Sequence, residues 1–269
     1  MQSPETYVYD IMPQNQPKRK LRTAIENMHS GQLLVTDGTP LSNLDHGQKL
    51  TFTPVEEYAI GRHDTTSGVR FGKISTGNTD IPVALKPHHN IASALSEFCI
   101  TQHLTGEGHI KPYQPLGFLS DGDSVHTMSI FEGDVVSCDT ITDSTDDPEE
   151  IQRVLLTGAT TLAKLHKSGV AHGDAQIKNT AFHTKTEEVR AIDLTSSYFD
   201  KSCRGIADDM DWYIGTLPDY LYPMPDGNYI RTYFIDPYLS LVTGALSKKQ
   251  QDKVHHITNN LLTDLETTA

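Results

Sequence analysis

Apolar and polar residues alternate over short runs from about residue 49, in KLTFTPV and VRFGKI, a pattern that predicts half-buried strands. A Thr76–Asp80 turn leads into the compact apolar run IPVALK, which ends at Lys86. Asn90 is a helix cap, and Ile91, Ala94, Leu95 and Phe98 then recur at helical spacing, with Ile100 close to the same stripe. PLGFL and TMSIF predict two further strands. Asp147-Pro148-Glu149-Glu150 combines a capping Asp with Pro at the first helical position. It starts a helix whose core stripe is Ile151, Val154, Leu155, Ala159, Leu162 and Leu165, ending at Gly169. A capping box at Ser247–Gln250 opens a last helix with Val254, Ile257, Leu261 and Leu265 inward. Residues 1–50 are the least regular. PQNQPKRKLR predicts an exposed basic arm leading to a short helix near Leu21–Met28. The order, strands with one helix and then mainly helices, predicts an α+β chain of two lobes with a cleft between them.

Composition narrows the functions. The formal net charge is −13, which disfavours nonspecific binding to nucleic acid or anionic lipid. No apolar run reaches the ~20 residues of a membrane span, and the N-terminus has no secretory stretch. Cys99, Cys138 and Cys203 are far apart, and no CxxC pair exists; separate thiols in a reducing cytoplasm are expected. The pairs His88-His89 and His255-His256 lack the i, i+4 spacing of helical metal ligands and are expected at the surface.

The chemistry concentrates after Gly169. VAHGDAQIKNTAF carries His172, Asp174 and Asn179 at the spacing H-x-D-x-x-x-x-N, and Asp193 follows at the end of an apolar run, Val189, Ala191 and Ile192. Two carboxylates and an amide oxygen converging from a loop and a strand end are hard oxygen ligands. They suit Mg²⁺ carrying phosphate oxygens, with one carboxylate left to orient a nucleophile.

The segment resembles the catalytic loop and metal-binding motif of the protein-kinase-like fold, over roughly residues 55–215. The resemblance implies that Asp174 is the catalytic base, assisted by Asn179, and that Asn179 and Asp193 are the magnesium ligands. It makes Lys86 the strand lysine on the nucleotide phosphates and Glu97 its ion-pair partner in the next helix. Ser129–Gly133 resembles the hinge that holds adenine, with Ile130 and Glu132 as contacts, and Gly68-Val69 is the familiar part of the loop over the phosphates. His172 would brace the loop by hydrogen bonds, and one of Asp208, Asp209 and Asp211 would anchor it.

Departures from the pattern shape the reading. The G-x-G-x-x-G loop is replaced by IGRHDTTSGVRFGKI, whose Gly61, Gly68 and Gly72 are spaced differently; Thr66 and Ser67 are candidate helpers there. Asp193-Leu194-Thr195 stands for D-F-G, and Gln176 for the lysine of typical Ser/Thr kinases. No A-P-E follows, and the stretch from Asp193 to Ala269 is shorter than a typical eukaryotic helical subdomain. His-Gly-Asp is similar to the atypical and small-molecule branches: RIO-type kinases, lipopolysaccharide-core sugar kinases, and aminoglycoside or choline phosphotransferases. The acidic stretch DTITDSTDDPEE either attracts a cationic acceptor or simply supplies acids to a helix N-terminus.

The expectation is therefore an atypical, two-lobed protein-kinase-like phosphotransferase, cytoplasmic, using ATP and Mg²⁺ on a hydroxyl acceptor, protein Ser/Thr or small molecule. A catalytically inactive kinase-like binding module and a kinase-fold AMP transferase are the alternatives. Residues 1–50 form an extension, 51–132 the N-lobe with its hinge, and 133–269 the C-lobe.

Overall fold

The computed structural model describes residues 5–12, 17–37, 39–42, 49–55, 68–75, 79–121, 124–144, 146–200 and 204–268. The chain is mixed α+β and divides into two compact units. The first takes Met1–Gln102 and Tyr113–Gly133, the second His103–Pro112 and Asp134–Ala269.

Seven described strands of unit 1 close into a barrel: β1 (Glu5–Met12), β2 (Gln32–Thr36), β3 (Lys49–Pro54), β4 (Arg70–Ser75), β5 (Asp80–His88), β6 (Pro115–Asp121) and β7 (Ser124–Ile130). Their order is β1-β2-β6-β7-β5-β4-β3, and β1 pairs with β3 to complete the ring. The parallel pair β1 and β2 is joined by helix α1 (Lys18–Glu26), because parallel neighbours need a crossover. Inward side chains fill the barrel, among them Leu33, Val35, Phe52, Val83, Leu85 and Met128. A second core lies outside it, where Leu21 and Ile25 of α1 and Leu95 and Phe98 of α2 (Ile91–Glu107) cover Leu34 and Phe118. Asn90 caps α2 as expected, its side-chain oxygen accepting from the Ser93 N–H at 2.9 Å.

Residues 1–50, expected as an extension of uncertain structure, thus contribute two barrel strands and a packed helix to unit 1. Lys18, Arg19 and Lys20 are exposed as expected, but on α1, which begins earlier than the Leu21–Met28 expectation. His88 corrects the surface expectation. It is buried because β5 alternates and directs it under α2, where its Nε2 meets the Thr127 hydroxyl at 2.9 Å. Cys99 and Cys138 are free thiols, and burial pushes the Cys138 thiol up to about 12. Gly61, Thr66, Ser67, the Thr76–Asn78 turn and Cys203 lie outside the described residues.

In unit 2 the long helix α4 (Pro148–Lys167) follows β8 (Val135–Ser137) and α3 (Cys138–Thr142). Asp147 caps α4 as expected, accepting from the Glu149 N–H at 3.0 Å. Strands β9 (Val170–Ala171) and β12 (Tyr198–Phe199) pair with each other, and β10 (Thr180–His183) lies between β8 and β11 (Val189–Ala191). Helices α5 (Arg204–Gly215), α6 (Gly227–Ile230), α7 (Asp236–Val242) and α8 (Lys248–Thr268) follow. Tyr213 of α5 stacks on Phe234 with ring centroids 4.6 Å apart, beside the buried stripe of α4. Half of the Ser247 capping box forms: Gln250 Oε1 accepts from the Ser247 N–H at 2.8 Å, while the Ser247 hydroxyl donates to the same oxygen at 2.8 Å rather than accepting from the Gln250 N–H. In α8, Val254 and Thr258 are the buried positions, while Ile257 and Leu261 are half-buried. Among the described residues no helix is long and apolar enough to cross a membrane.

Candidate functional site

The sequence-predicted residues fall into two groups, one in each unit. Lys86, Glu97, Gly68, Val69, Ile130 and Glu132 belong to unit 1; Asp174, Asn179 and Asp193 belong to unit 2.

Alternation along β5 sends Val83 and Leu85 into the barrel and Ala84, Lys86 and His88 to its outer face. There the Lys86 ammonium meets the Glu97 carboxylate of α2 with Nζ 2.9 Å from Oε2 and 3.1 Å from Oε1. The pair is mostly shielded, its side chains 21% and 15% exposed. His88 Nε2 lies 3.6 Å from the same carboxylate. Gly68 is in the left-handed region at φ +68°, and a β-carbon there would come within 3.3 Å of Pro87, the residue next to Lys86. Val69 follows it directly into β4. Ile130 pairs with Val83 across the sheet, two residues before Glu132. The Ile130 N–H donates to the Gln114 carbonyl and the Phe131 N–H to the Pro82 carbonyl, so these two backbone donors already serve the sheet.

In unit 2 the segment between β9 and β10 has almost no regular structure, yet it is tightly held. Asp209, on α5, is the anchor among the three candidate aspartates. It is buried, and its carboxylate accepts the backbone N–H of His172 at 2.6 Å and of Gly173 at 2.8 Å. His166 Nε2 lies 3.0 Å from the same group, and His166 Nδ1 lies 2.7 Å from the Tyr238 hydroxyl. Burial alone would raise the Asp209 carboxyl. The His166 hydrogen bond and charge, with the two backbone donors, hold it below the usual carboxylate value. His172 is fully buried, and its Nε2 meets the Ile192 carbonyl at 3.1 Å, the bracing role expected of it. Gly173 explains the His-Gly-Asp sequence. At φ +74° it adopts a conformation L side chains avoid, and a β-carbon would overlap the Ser196 carbonyl oxygen.

Asn179 ends the short 3-10 turn Ile177–Asn179 and is buried. Its amide nitrogen donates to the Asp174 backbone carbonyl at 2.8 Å and to Asp174 Oδ2 at 3.0 Å. Gln176 donates through Nε2 to Asp174 Oδ1. Both carboxylate oxygens of Asp174 are therefore fixed by side-chain amides. The Asn179 carbonyl receives the Ile192 N–H at 3.1 Å, continuing the β10–β11 register. This brings Asn179 and Asp193 to the same end of the hairpin. Asp193 is exposed, in the left-handed region at φ 53°.

The donor set fits a hard divalent cation. Both Asn179 amide donations go to Asp174, so the oxygen of that amide, an acceptor, is the atom such a cation would take. Among the described residues no group of three His, Cys, Asp or Glu side chains is placed to hold a metal, so phosphate oxygens and water would complete such a shell.

His166 was not expected to take part. Its signal lay in the sequence: it continues the Leu162 stripe of α4 at i+4, and a histidine on a core stripe needs a buried partner. No protein-family model matches this chain, and no curated protein matches its sequence.

Proposed function

We propose that the chain is an ATP- and Mg²⁺-dependent phosphotransferase of the atypical protein-kinase-like kind, acting on a hydroxyl acceptor. The observation that carries the reading is the held loop: Asp174 gripped at both oxygens, with Asn179 and Asp193 at one hairpin end. The Lys86–Glu97 pair supports it, because Lys86 stands on the third of three successive antiparallel strands and Glu97 on the next helix, the places such enzymes use.

In this reading Asp174 accepts the proton of the acceptor hydroxyl. The acceptor oxygen bonds to the γ-phosphorus, the bond to the β–γ bridging oxygen breaks, and ADP leaves with that electron pair. Lys86 offsets phosphate charge, and Glu97 orients its ammonium. Asn179 holds Asp174 through its nitrogen and offers its oxygen, with Asp193, to Mg²⁺. The metal, when bound, supplies charge neutralisation on the phosphates. Gly68 and Val69 offer backbone to the phosphates, and the Ile130–Glu132 stretch offers an edge to the base.

Binding of ATP with Mg²⁺ is the first requirement of this reading. Calorimetric titration with ATP and Mg²⁺ tests this: Lys86→Met and Asp193→Asn should each weaken binding at least about tenfold. An ADP-release assay should show turnover in the native chain and a loss of about 10²-fold or more in Asp174→Asn. Equal turnover in both sinks the assigned roles, and ATP binding without turnover identifies a binding module instead. The intact mass of a modified acceptor separates phosphoryl from AMP transfer.

A further inference from the structure

Gln176 stands two residues after Asp174, and its amide is held at both ends. Its Nε2 donates to Asp174 Oδ1, and its Oε1 accepts from the Tyr220 hydroxyl at 3.0 Å. Tyr220 follows the turn Leu217–Asp219, over forty positions further along the chain, and is half-buried.

A primary amide has a donor end and an acceptor end, and a half-turn exchanges them. A carboxylate accepts and cannot donate, so an ionised Asp174 requires the nitrogen end. The oxygen end must then face a donor. We infer that Tyr220 is a positioning residue: its hydroxyl sets the direction of the Gln176 amide, which in turn holds Asp174 in its working rotamer. This rests on the reading of Asp174 as the base.

Two features favour the assignment. The Tyr220 hydroxyl remains a donor throughout the neutral range. Burial first, then the carboxylates of Asp139, Asp219, Asp174 and Asp143, push its pKa up to about 12. The two grips on Asp174 also differ in origin. Asn179 is in the same turn and buried, so packing fixes its amide; Gln176 is only half-buried and depends on Tyr220 for its direction. A tyrosine–glutamine pair thus performs a task that a lysine, having donors alone, would perform without a partner.

A double-mutant cycle on the full-length protein tests this, using ATP hydrolysis with Mg²⁺ and water as acceptor. Tyr220→Phe and Gln176→Leu should each lower kcat about tenfold while KM for ATP stays within about twofold, because the base is misplaced and the nucleotide is not. The double variant should lose the same tenfold, since each change breaks one chain of contacts. Losses that multiply, or no loss in Tyr220→Phe, overturn the inference. The Gln176 side-chain amide signal in a ¹⁵N spectrum, identified by its absence from Gln176→Leu, gives a readout independent of turnover. It should move in Tyr220→Phe and in Asp174→Asn; a signal unmoved in Tyr220→Phe overturns the inference. A native chain without ATP turnover, or one matched by Asp174→Asn, sinks the phosphotransferase reading instead. The amide signal then decides by itself whether Tyr220 directs Gln176.

Discussion

The two units fix their candidate functional side chains in opposite ways. In unit 1 Lys86 belongs to a strand paired on both sides, so its backbone is set by the barrel, and the Glu97 carboxylate that meets its ammonium is still reached by solvent. In unit 2 Asp174 belongs to a segment with no sheet partner. Its position depends on Asp209, whose side chain is only 2% exposed, and on His166, which is fully buried. Regular structure distributes the work of positioning over many backbone bonds. An irregular loop concentrates it in a few buried polar groups, each of which is costly to leave unpaired. The same substitution strategy should therefore give unequal results in the two units.

The largest effect is expected at Asp209. Asp209→Ala leaves two backbone N–H groups and His166 without their acceptor in a buried place, a loss of about 3–5 kcal/mol. Urea unfolding followed through the sole tryptophan, Trp212 on the same helix, measures it. The advantage of native protein over the variant also has a pH signature. The folded Asp209 carboxyl lies below its ordinary value of 3.8, so its contribution is complete above that value and is lost as pH falls through the lowered folded one. A variant of native stability would show that α5 does not anchor the loop.

Gly173 comes next. Gly173→Arg should destabilise unit 2 by about 1–3 kcal/mol, because the site needs positive φ and has no space beside Ser196. Gly173→Ala should cost nearly as much, since the β-carbon rather than the charge is at fault. Tryptophan-monitored unfolding that ranks alanine as harmless would refute the steric account.

These two sites also show what the chain makes legible. Asp174, Asn179 and Asp193 could be singled out as candidates because the motif that carries them is a spacing within one short segment. Asp209 could be narrowed to three neighbours and no further, because the choice depends on which face of α5 is turned to His172. Helix ends were legible at Asn90, Asp147 and Ser247, where capping is local chemistry. The barrel was not. β2 is buried on both faces, with Leu33 and Val35 inside and Leu34 under the helices, so it lacks the alternation that marks a strand. β1 and β2 are also parallel and joined through α1, which no turn signal announces.

A smaller, pH-dependent effect is expected in unit 1. His126 is buried in β7, and burial first, then the Arg70 guanidinium, lowers its pKa below 6.5; Asp121, Glu5 and a hydrogen bond with Leu119 oppose this only in part. The unfolded chain then binds this proton more readily than the folded one. Its contribution to stability is complete above 6.5 and is lost as pH falls toward the folded value. Urea titrations of barrel NMR signals between neutral pH and about pH 5 should show declining stability, and His126→Gln should flatten that slope. An equal slope in the variant would assign the proton uptake elsewhere.

The smallest stability change is expected at the ion pair itself. Glu97→Gln keeps the size and one acceptor of the side chain but removes its charge. Lys86 keeps partial access to water, so the cost should stay within about 1 kcal/mol. Activity should behave differently. An ammonium that the Glu97 carboxylate no longer draws is held less firmly, and its hold on phosphate weakens, so kcat/KM for ATP should fall about tenfold or more while the unfolding midpoint barely moves. At Asp209 the order reverses, because stability fails before catalysis can be measured. A Glu97→Gln protein that unfolds as readily as Asp209→Ala would show that unit 1 relies on its polar contacts as heavily as unit 2, and the contrast between paired strand and pinned loop would be lost.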